Sequence, residues 1–163
     1  MSIFPTRAVL AIDGSEEASR AAEAAVELCE KTGSELHVVH IGEDFYLPSV
    51  TDLETVVPTW PARANPDIEA NFERIAREVL DAEVEKVEAA GGRVAQAYLR
   101  MGVADAEIVD LAEEIEAGLV VLGSRGLGGV RRALMGSVSY SVVRHAHCPV
   151  LVVRDQRDAQ SPR

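Results

Sequence analysis

Glycine and serine residues are concentrated between residues 123 and 137, directly after a strongly hydrophobic segment. Gly123 and Gly126 have no Cβ atom, so the backbone there can approach an anion closely and adopt positive φ angles. Gly136 and Ser137 open a segment with helical spacing, and the free N–H groups at a helix N-terminus favour an anion. These residue types suit a bound phosphate, although a glycine-rich loop that only needs tight turns has the same composition.

Two known phosphate-binding motifs do not fit this stretch. It lacks the Gly-Lys-Ser/Thr end of a P-loop, and it does not follow the first strand as a dinucleotide-binding Gly-x-Gly-x-x-Gly turn does. Individual side chains can still contribute. The Ser137 hydroxyl can donate to a phosphate or help hold a metal ion, and Arg125 is either a phosphate-binding cation or a solvated loop residue. Asp13 can accept amide hydrogen bonds at the start of the first helix.

The charge balance argues against two large classes of ligand. The formal net charge is −11, and Lys and Arg form no continuous run. Duplex nucleic acid and anionic membranes both require a positive surface, so we expect neither as a partner. Two cysteines far apart in sequence, Cys29 and Cys148, do not make a disulfide framework. The N-terminal residues lack a signal-peptide pattern. No apolar segment reaches the roughly 20 residues of a membrane span. We therefore expect a cytoplasmic protein.

Apolar segments that suit strands alternate along the chain with segments of helical spacing. Strands are predicted at 7–13, 35–41, 93–99, 119–122 and 149–153, and helices at 16–31, 67–90, 105–116 and 137–145. Ser15 suits the N-cap of the first helix and Gly33 its C-terminal stop. The alternation predicts an α/β fold, and we expect one doubly wound domain, with a five-stranded parallel sheet in the order 3-2-1-4-5 and helices on both faces. This domain spans 1–155 with a long loop at 42–66, and a polar tail follows at 156–163.

Such a fold predicts where the candidate residues lie. Ligands of doubly wound sheets bind outside the carboxyl ends of the strands, where the strand order reverses. Asp13 and the 123–137 stretch follow the first and fourth strands, so both belong to that edge. His37 and His40 are three positions apart in one strand and point to opposite faces, so we do not expect them to act together.

The spacing Gly123-x2-Gly126-x9-Gly136-Ser137 resembles the nucleotide-binding signature of the universal stress protein family. The family's C-terminal third is also similar to three adjoining segments of this chain. They are Gly-Ser-Arg-Gly-Leu-Gly-Gly, Gly-Ser-Val-Ser, and Cys-Pro-Val-Leu-Val-Val at 148–153. Residues 9–15 resemble its first strand and turn. The resemblance covers nearly the whole chain except the 42–66 loop and the tail.

The resemblance implies that the cofactor is ATP, with Mg²⁺ or Mn²⁺. The implied binding residues are Ala11, Ile12, Asp13, Ile41, Gly123, Arg125, Gly126, Gly136, Ser137, Val138 and Ser139. Among them, Asp13 would contact the ribose or a metal ion bound to the phosphates. Ser137 is the second candidate ligand for that metal. The backbone near Ala11 and Ile41 would hold the adenine. The resemblance also implies a homodimer joined through the hydrophobic edge strand 149–153.

Several functions remain open from the sequence. One is an ATP-binding regulatory module of the stress response that acts through a downstream partner, which the sequence does not name. A second is a slow ATPase or self-phosphorylating enzyme, for which no convincing base that orients water is present. A third is a structural dimer without ligand, against which the intact glycine set argues. A cyclic AMP-binding protein is a further alternative.

Overall fold

Five strands and four helices alternate along the chain, and their bounds differ from the predicted ones by at most two residues. The strands are β1 (Arg7–Ile12), β2 (Glu35–Gly42), β3 (Val94–Met101), β4 (Leu119–Gly123) and β5 (Val150–Val153), and the helices are α1 (Glu16–Thr32), α2 (Pro66–Ala89), α3 (Ala104–Glu114) and α4 (Ser137–His145). The computed structural model describes residues 6–42, 66–125 and 135–154, except the side chain of Ile68. Nearly all of the predicted 42–66 loop and the whole 156–163 tail lie outside the described residues.

The sheet has β1 at its centre. Its strands are all parallel and follow the order β3-β2-β1-β4-β5, which confirms the predicted doubly wound fold. Ala8 of β1 pairs with Leu36 of β2 on one side and with Leu119 of β4 on the other. From β1 the chain builds the sheet in one direction through β2 and β3, and then returns to add β4 and β5 on the other side. The switch point therefore lies between β1 and β4, and a ligand crevice is expected at its carboxyl edge.

Alternate residues of the central strands build two separate hydrophobic cores. Leu10 faces the side covered by α1 and α2, where it belongs to a cluster with Ala21 and Leu80. Its neighbour Val9 faces the side of α3 and α4 and belongs to the other cluster, with Leu111. Because both faces of the sheet are covered, β1 and β4 can be almost entirely apolar, as parallel strands of this class usually are.

Helix α1 is delimited by the two residues that the sequence indicates. The Ser15 Oγ accepts a hydrogen bond from the amide of Ala18 at 3.1 Å, which satisfies one of the free N–H groups of the first turn. Gly33 ends the helix in the left-handed conformation, at φ 69°, and its amide bonds to the Cys29 carbonyl. The start of α1 is therefore held in a defined position next to the end of β1.

Helix α3 ends two residues before the predicted boundary. Glu116 has φ 52°, a left-handed conformation that an α-helix cannot continue through. The amide of Glu116 bonds to the Glu113 carbonyl and that of Ala117 to the Ala112 carbonyl, the pattern of a Schellman motif. Glycine usually provides the left-handed residue of this motif. Because a glutamate takes its place here, no residue type in the sequence marks the end of α3.

Helix α2 is the longest element, with 24 residues. Its buried side includes Ala76, Leu80 and Val87, in agreement with the predicted amphipathic spacing. Ile75, although it belongs to the same predicted apolar stripe, is 44% exposed. No helix in the described ranges is long and apolar enough to cross a membrane.

Candidate functional site

A cavity of about 700 Å³ opens at the carboxyl ends of the strands. Ten of the eleven predicted binding residues border it, namely Ala11, Ile12, Asp13, Ile41, Gly123, Arg125, Gly136, Ser137, Val138 and Ser139. The eleventh, Gly126, lies outside the described residues. Residues that are more than 100 positions apart in sequence thus meet at one place, although their contact with a nucleotide stays a prediction.

The first turn of α4 forms one wall of this cavity. Gly136 is the N-cap residue, with φ −72° and ψ 161°, and among the described residues no side chain makes a capping hydrogen bond there. The amides of the first turn are therefore left for another acceptor, and the helix dipole adds positive potential. Ser137 and Val138 are exposed beside this turn, whereas Ser139 is buried. The arrangement suits an anion such as a phosphate group.

Ser124 ties the end of β4 to the start of α4. Its carbonyl oxygen accepts hydrogen bonds from the Gly136 amide at 2.6 Å and from the Ser139 hydroxyl at 2.9 Å. Its own amide donates to the Val153 carbonyl at 2.8 Å, and its side chain is buried. Ser124 was not among the predicted residues, because its role depends on contacts with α4 and β5 that no local pattern indicates.

Gly123 and Gly136 are glycines because a Cβ atom would have little space at either position. A Cβ on Gly136 would come within 3.1 Å of the Ser124 carbonyl oxygen. A Cβ on Gly123 would come within 3.0 Å of the Glu17 backbone. The sequence suggested that Gly123 lets the backbone approach an anion, whereas the missing side chain makes room for the first turn of α1. Gly123 nevertheless borders the cavity.

The turn between β1 and α1 presents Asp13 to the cavity. Its Oδ1 accepts a hydrogen bond from the Ser15 amide at 2.9 Å, as the sequence predicts for a carboxylate at a helix start. Gly14 between them has φ 81°, a conformation that favours glycine. Asp13 and Ser137 border the same cavity. Within the described ranges no group of three His, Cys, Asp or Glu side chains could hold a metal ion, so a metal here would need phosphate oxygens as further ligands.

Glu17 of α1 is a second acidic residue near the site, and it was not among the predicted site residues. Its Oε2 atom accepts two hydrogen bonds, from the Ser124 hydroxyl at 2.7 Å and from the Arg125 amide at 2.6 Å. In the sequence the Glu16-Glu17 pair has an ordinary explanation, since acidic residues are favoured in the first turn of a helix. Only the close contact between α1 and Gly123 makes the difference between the two glutamates apparent.

His40 is the buried histidine of the cavity wall. It is 9% exposed, and its Nδ1 lies 2.9 Å from the Ile12 carbonyl oxygen. A carbonyl can only accept, so Nδ1 carries the proton. His37 instead stacks on Tyr98, with ring centroids 5.9 Å apart, and does not border the cavity. The prediction that the two histidines do not act together agrees with these positions, but it overlooked that His40 lies beside the site.

Apolar side chains form the rest of the wall. Helix α2 contributes Phe72, Ile75, Ala76 and Val79, and Met101, Ala104, Ile108 and Met135 come from other elements. This explains the partial exposure of Ile75, which faces the cavity. The helical spacing of Phe72, Ile75, Val79 and Ile108 indicated only a buried helix face. The cavity thus combines an apolar wall with polar groups at the start of α4, as small-molecule sites commonly do.

Fold and site together define a doubly wound α/β protein with its cavity at the switch point of the sheet. Residues 6–154 match the sequence model of the universal stress protein family, and the chain belongs to that family. The resemblance found in the sequence is thereby confirmed.

Similar proteins cover almost the whole chain. The universal stress protein YxiE of Bacillus subtilis is 32% identical over 146 residues, which span 90% of this chain and 97% of YxiE. A solved universal stress protein in complex with cAMP superposes with a TM-score of 0.65 at 22% identity, over 91% of this chain and 97% of that one. An Arabidopsis thaliana family member with AMP bound gives a TM-score of 0.60 at 20% identity, over 96% of each chain. At these identities the two structures show a shared fold.

Proposed function

We propose that this protein binds ATP as a regulatory module of the stress response. The observation that carries the proposal is the cavity bordered by ten of the eleven binding residues that the family resemblance implies, although they come from both halves of the chain. Two proteins of the same fold are described with AMP or cAMP bound, which supports an adenine nucleotide as the class of ligand.

The triphosphate is assigned to the end of the cavity formed by α4 and Arg125. The uncapped first turn of α4 provides backbone N–H donors, and Arg125 provides a cation at the same wall. Local donors of this kind explain how a protein with a net charge of −11 can bind a polyanion without a basic patch. The adenine is assigned to the apolar wall near Ala11 and Ile41.

Asp13 and Ser137 are the proposed ligands for Mg²⁺ or Mn²⁺ bound to the nucleotide. A carboxylate and a hydroxyl are oxygen ligands of the type that Mg²⁺ prefers, and phosphate oxygens and water would complete the coordination. The metal would neutralise part of the phosphate charge. Asp13 can serve in this way while its Oδ1 accepts the Ser15 amide, because a carboxylate has four lone-pair positions.

A binding role is favoured over catalysis. Hydrolysis requires a group that orients water at the γ-phosphate. Within the described part of the cavity wall, the carboxylate and imidazole groups that could hydrogen-bond to such a water belong to Asp13 and His40. Each already has a structural hydrogen bond, to the Ser15 amide and to the Ile12 carbonyl respectively. Slow hydrolysis or self-phosphorylation is the alternative to be tested.

The first experiment identifies the nucleotide. The purified protein is denatured by heat, and the supernatant is analysed by chromatography and mass spectrometry, followed by calorimetric titration of stripped protein with ATP, AMP and cAMP. We expect ATP to be released and to bind more tightly than cAMP. Tighter binding of cAMP than of ATP would favour cyclic AMP as the ligand. The proposal would be rejected if none of the three nucleotides bound at millimolar concentration. Phosphate release over hours distinguishes a slow ATPase from a binding module.

We further propose a homodimer joined through β5. β5 is the last strand of the sheet order, and in the described residues no strand pairs with its outer side. Helix α4, which contacts β5, exposes Tyr140 by 59% and Val143 by 47%, so it offers apolar surface that a partner chain could cover. Sedimentation velocity at micromolar concentration should show a dimer. The cytoplasmic location expected from the sequence stays a prediction.

A further inference from the structure

Both hydrogen bonds of the Glu17 carboxylate end on the same oxygen atom. The Oε2 atom receives the Ser124 hydroxyl at 2.7 Å and the Arg125 amide at 2.6 Å. Bonds from a neutral donor to a carboxylate are stronger than those between neutral groups. One atom on α1 therefore fixes both a side chain and a main-chain group of the segment that leaves β4.

The position of Glu17 is itself fixed. Its backbone lies against Gly123, where a Cβ atom would come within 3.0 Å, so the end of β4 and the first turn of α1 are in close contact. Glu17 is also the second residue of α1, after the Ser15 cap, where the helix dipole stabilises a negative charge. The carboxylate is therefore held where it can restrain Ser124 and Arg125.

Ser124 passes this restraint to α4. Its carbonyl accepts the Gly136 amide at 2.6 Å and the Ser139 hydroxyl at 2.9 Å. Ser124 is only 2% exposed, so water does not readily replace these partners. Glu17, Ser124 and Gly136 thus connect three elements, and the two proposed phosphate-binding groups, Arg125 and the α4 amides, belong to the connected parts.

We infer that Glu17 is a positioning residue for nucleotide binding, and that it sets the relative placement of Arg125 and the first turn of α4. The inference rests on the proposed function. It assigns Glu17 no contact with the nucleotide, and Glu17 does not border the cavity. One oxygen of Glu17 accepts both bonds, so the single carbonyl oxygen of a glutamine at this position can accept them as well. An alanine has no side-chain acceptor.

Four variants test this assignment by calorimetric titration with ATP and AMP. Glu17→Ala removes the acceptor, Glu17→Asp withdraws it by one methylene, and Glu17→Gln keeps it without charge. Glu16→Ala is the matched control, since Glu16 lies in the same helical turn but pairs with Arg20 at 2.7 Å. We expect about tenfold weaker ATP binding for Glu17→Ala and Glu17→Asp, as when misplacement of Arg125 and α4 costs one hydrogen bond to phosphate, and less than about threefold change for the other two. AMP, with fewer phosphates, should lose less affinity than ATP.

The outcomes separate the inference from the proposed function. If the wild-type protein binds neither nucleotide, the proposed function fails. If it binds ATP and both Glu17→Ala and Glu17→Asp bind as tightly, only the inference fails. If Glu17→Ala and Glu17→Gln bind ATP more tightly than the wild type, the carboxylate competes with phosphate for its hydrogen-bond donors. If Glu16→Ala loses as much ATP affinity as Glu17→Ala, the loss is a general effect of charge. Either result overturns the inference. Circular dichroism and melting curves confirm that the variants are folded, and Glu17→Asp provides the test if Glu17→Ala is not.

Discussion

The Gly136 amide donates a 2.6 Å hydrogen bond to the Ser124 carbonyl, and the same contact leaves a Cβ atom on Gly136 only 3.1 Å from that oxygen. The N-cap of α4 and the end of β4 are therefore as close as their backbones allow. Gly136 has an ordinary extended conformation, φ −72° and ψ 161°, that any residue can adopt. A larger residue is thus disfavoured there by lack of space, without backbone strain.

This relationship predicts that Gly136→Val abolishes most nucleotide binding without unfolding the protein. The valine side chain must displace Ser124 or enter the space in front of the α4 amides, so one or more phosphate hydrogen bonds are lost. We expect ATP affinity to fall about ten- to a hundredfold, measured by calorimetric titration. Unchanged affinity in a folded Gly136→Val protein would show that phosphate does not bind at the start of α4.

Gly33→Ala is the complementary control. Gly33 has φ 69°, and a Cβ atom there would meet nothing within 4 Å, so the substitution causes backbone strain far from the cavity. We expect the free energy of unfolding to fall by about 1 kcal/mol, with ATP affinity unchanged. The two glycine variants together distinguish a loss of binding from a loss of stability.

The second prediction concerns Asp13. In the wild type the Ser15 amide donates to Asp13 Oδ1 at 2.9 Å. Asp13→Asn keeps an oxygen that can accept this bond but removes the negative charge that would bind Mg²⁺. The free energy of unfolding should fall by no more than about 1 kcal/mol, the size of a helix-dipole contribution. The increase in ATP affinity on adding Mg²⁺ should be largely lost, as shown by titrations with Mg²⁺ and with EDTA. Asp110→Asn, at an exposed position of α3, should behave like the wild type; an equal loss there would contradict the assignment.

The fold could be predicted from the sequence because each of its elements has a local signal. Ser15 and Gly33 delimit α1, and the apolar runs that become β1 and β4 can be buried only in a sheet covered on both faces. The end of α3 could not be placed, because Glu116 adopts a conformation that its residue type disfavours. Six of the predicted site residues lie at the carboxyl end of a strand or within two residues after it, so the topology alone brings them to one edge; they are Ala11, Ile12, Asp13, Ile41, Gly123 and Arg125.

The parts of the site that the sequence did not indicate depend on distances between elements. Glu17 differs from Glu16 only because its side chain points to Ser124. Phe72 and Val79 have the spacing of a buried helical face, and whether such a face meets the sheet or a cavity depends on how far α2 lies from the end of β2. Packing geometry of this kind is a property of the folded chain, and a single sequence carries no local signal for it.

The third prediction concerns the reactivity of the two thiols. Burial raises the pKa of Cys29, which is 8% exposed, and burial also raises the pKa of Cys148. Because the thiolate is the nucleophile, Ellman's reagent should react slowly near neutral pH and faster above the ordinary thiol pKa of about 8.5. Cys148→Ser isolates Cys29, and the unfolded protein gives the reference rate. Reaction of native Cys29 at that reference rate would contradict the burial.

The same shifts set the sign of a pH effect on stability. Each thiol has a higher pKa in the folded than in the unfolded state, so the folded state binds more protons in the range between the two values. The contribution to stability is complete below the unfolded pKa, about 8.5, and is lost as the pH rises through the folded value. Denaturant titrations from neutral to alkaline pH should therefore show a smaller decrease in unfolding free energy for Cys148→Ser than for the wild type.

The last prediction tests the dimer through the alternation of β5. The Val120 amide bonds to the Pro149 carbonyl, and the Ser124 amide bonds to the Val153 carbonyl, so residues 149, 151 and 153 direct their backbone groups toward β4. Val150 and Val152 therefore direct theirs to the outer edge. Val152→Pro removes an outward N–H group, and proline is tolerated on edge strands, so we expect at least about tenfold weaker dimerisation with the monomer still folded. Leu151→Pro removes a bond to β4 instead and should reduce the unfolding free energy of the monomer, measured by denaturant titration. A Val152→Pro protein that sediments as a dimer at the lowest concentrations that can be measured would place the interface elsewhere on the molecule.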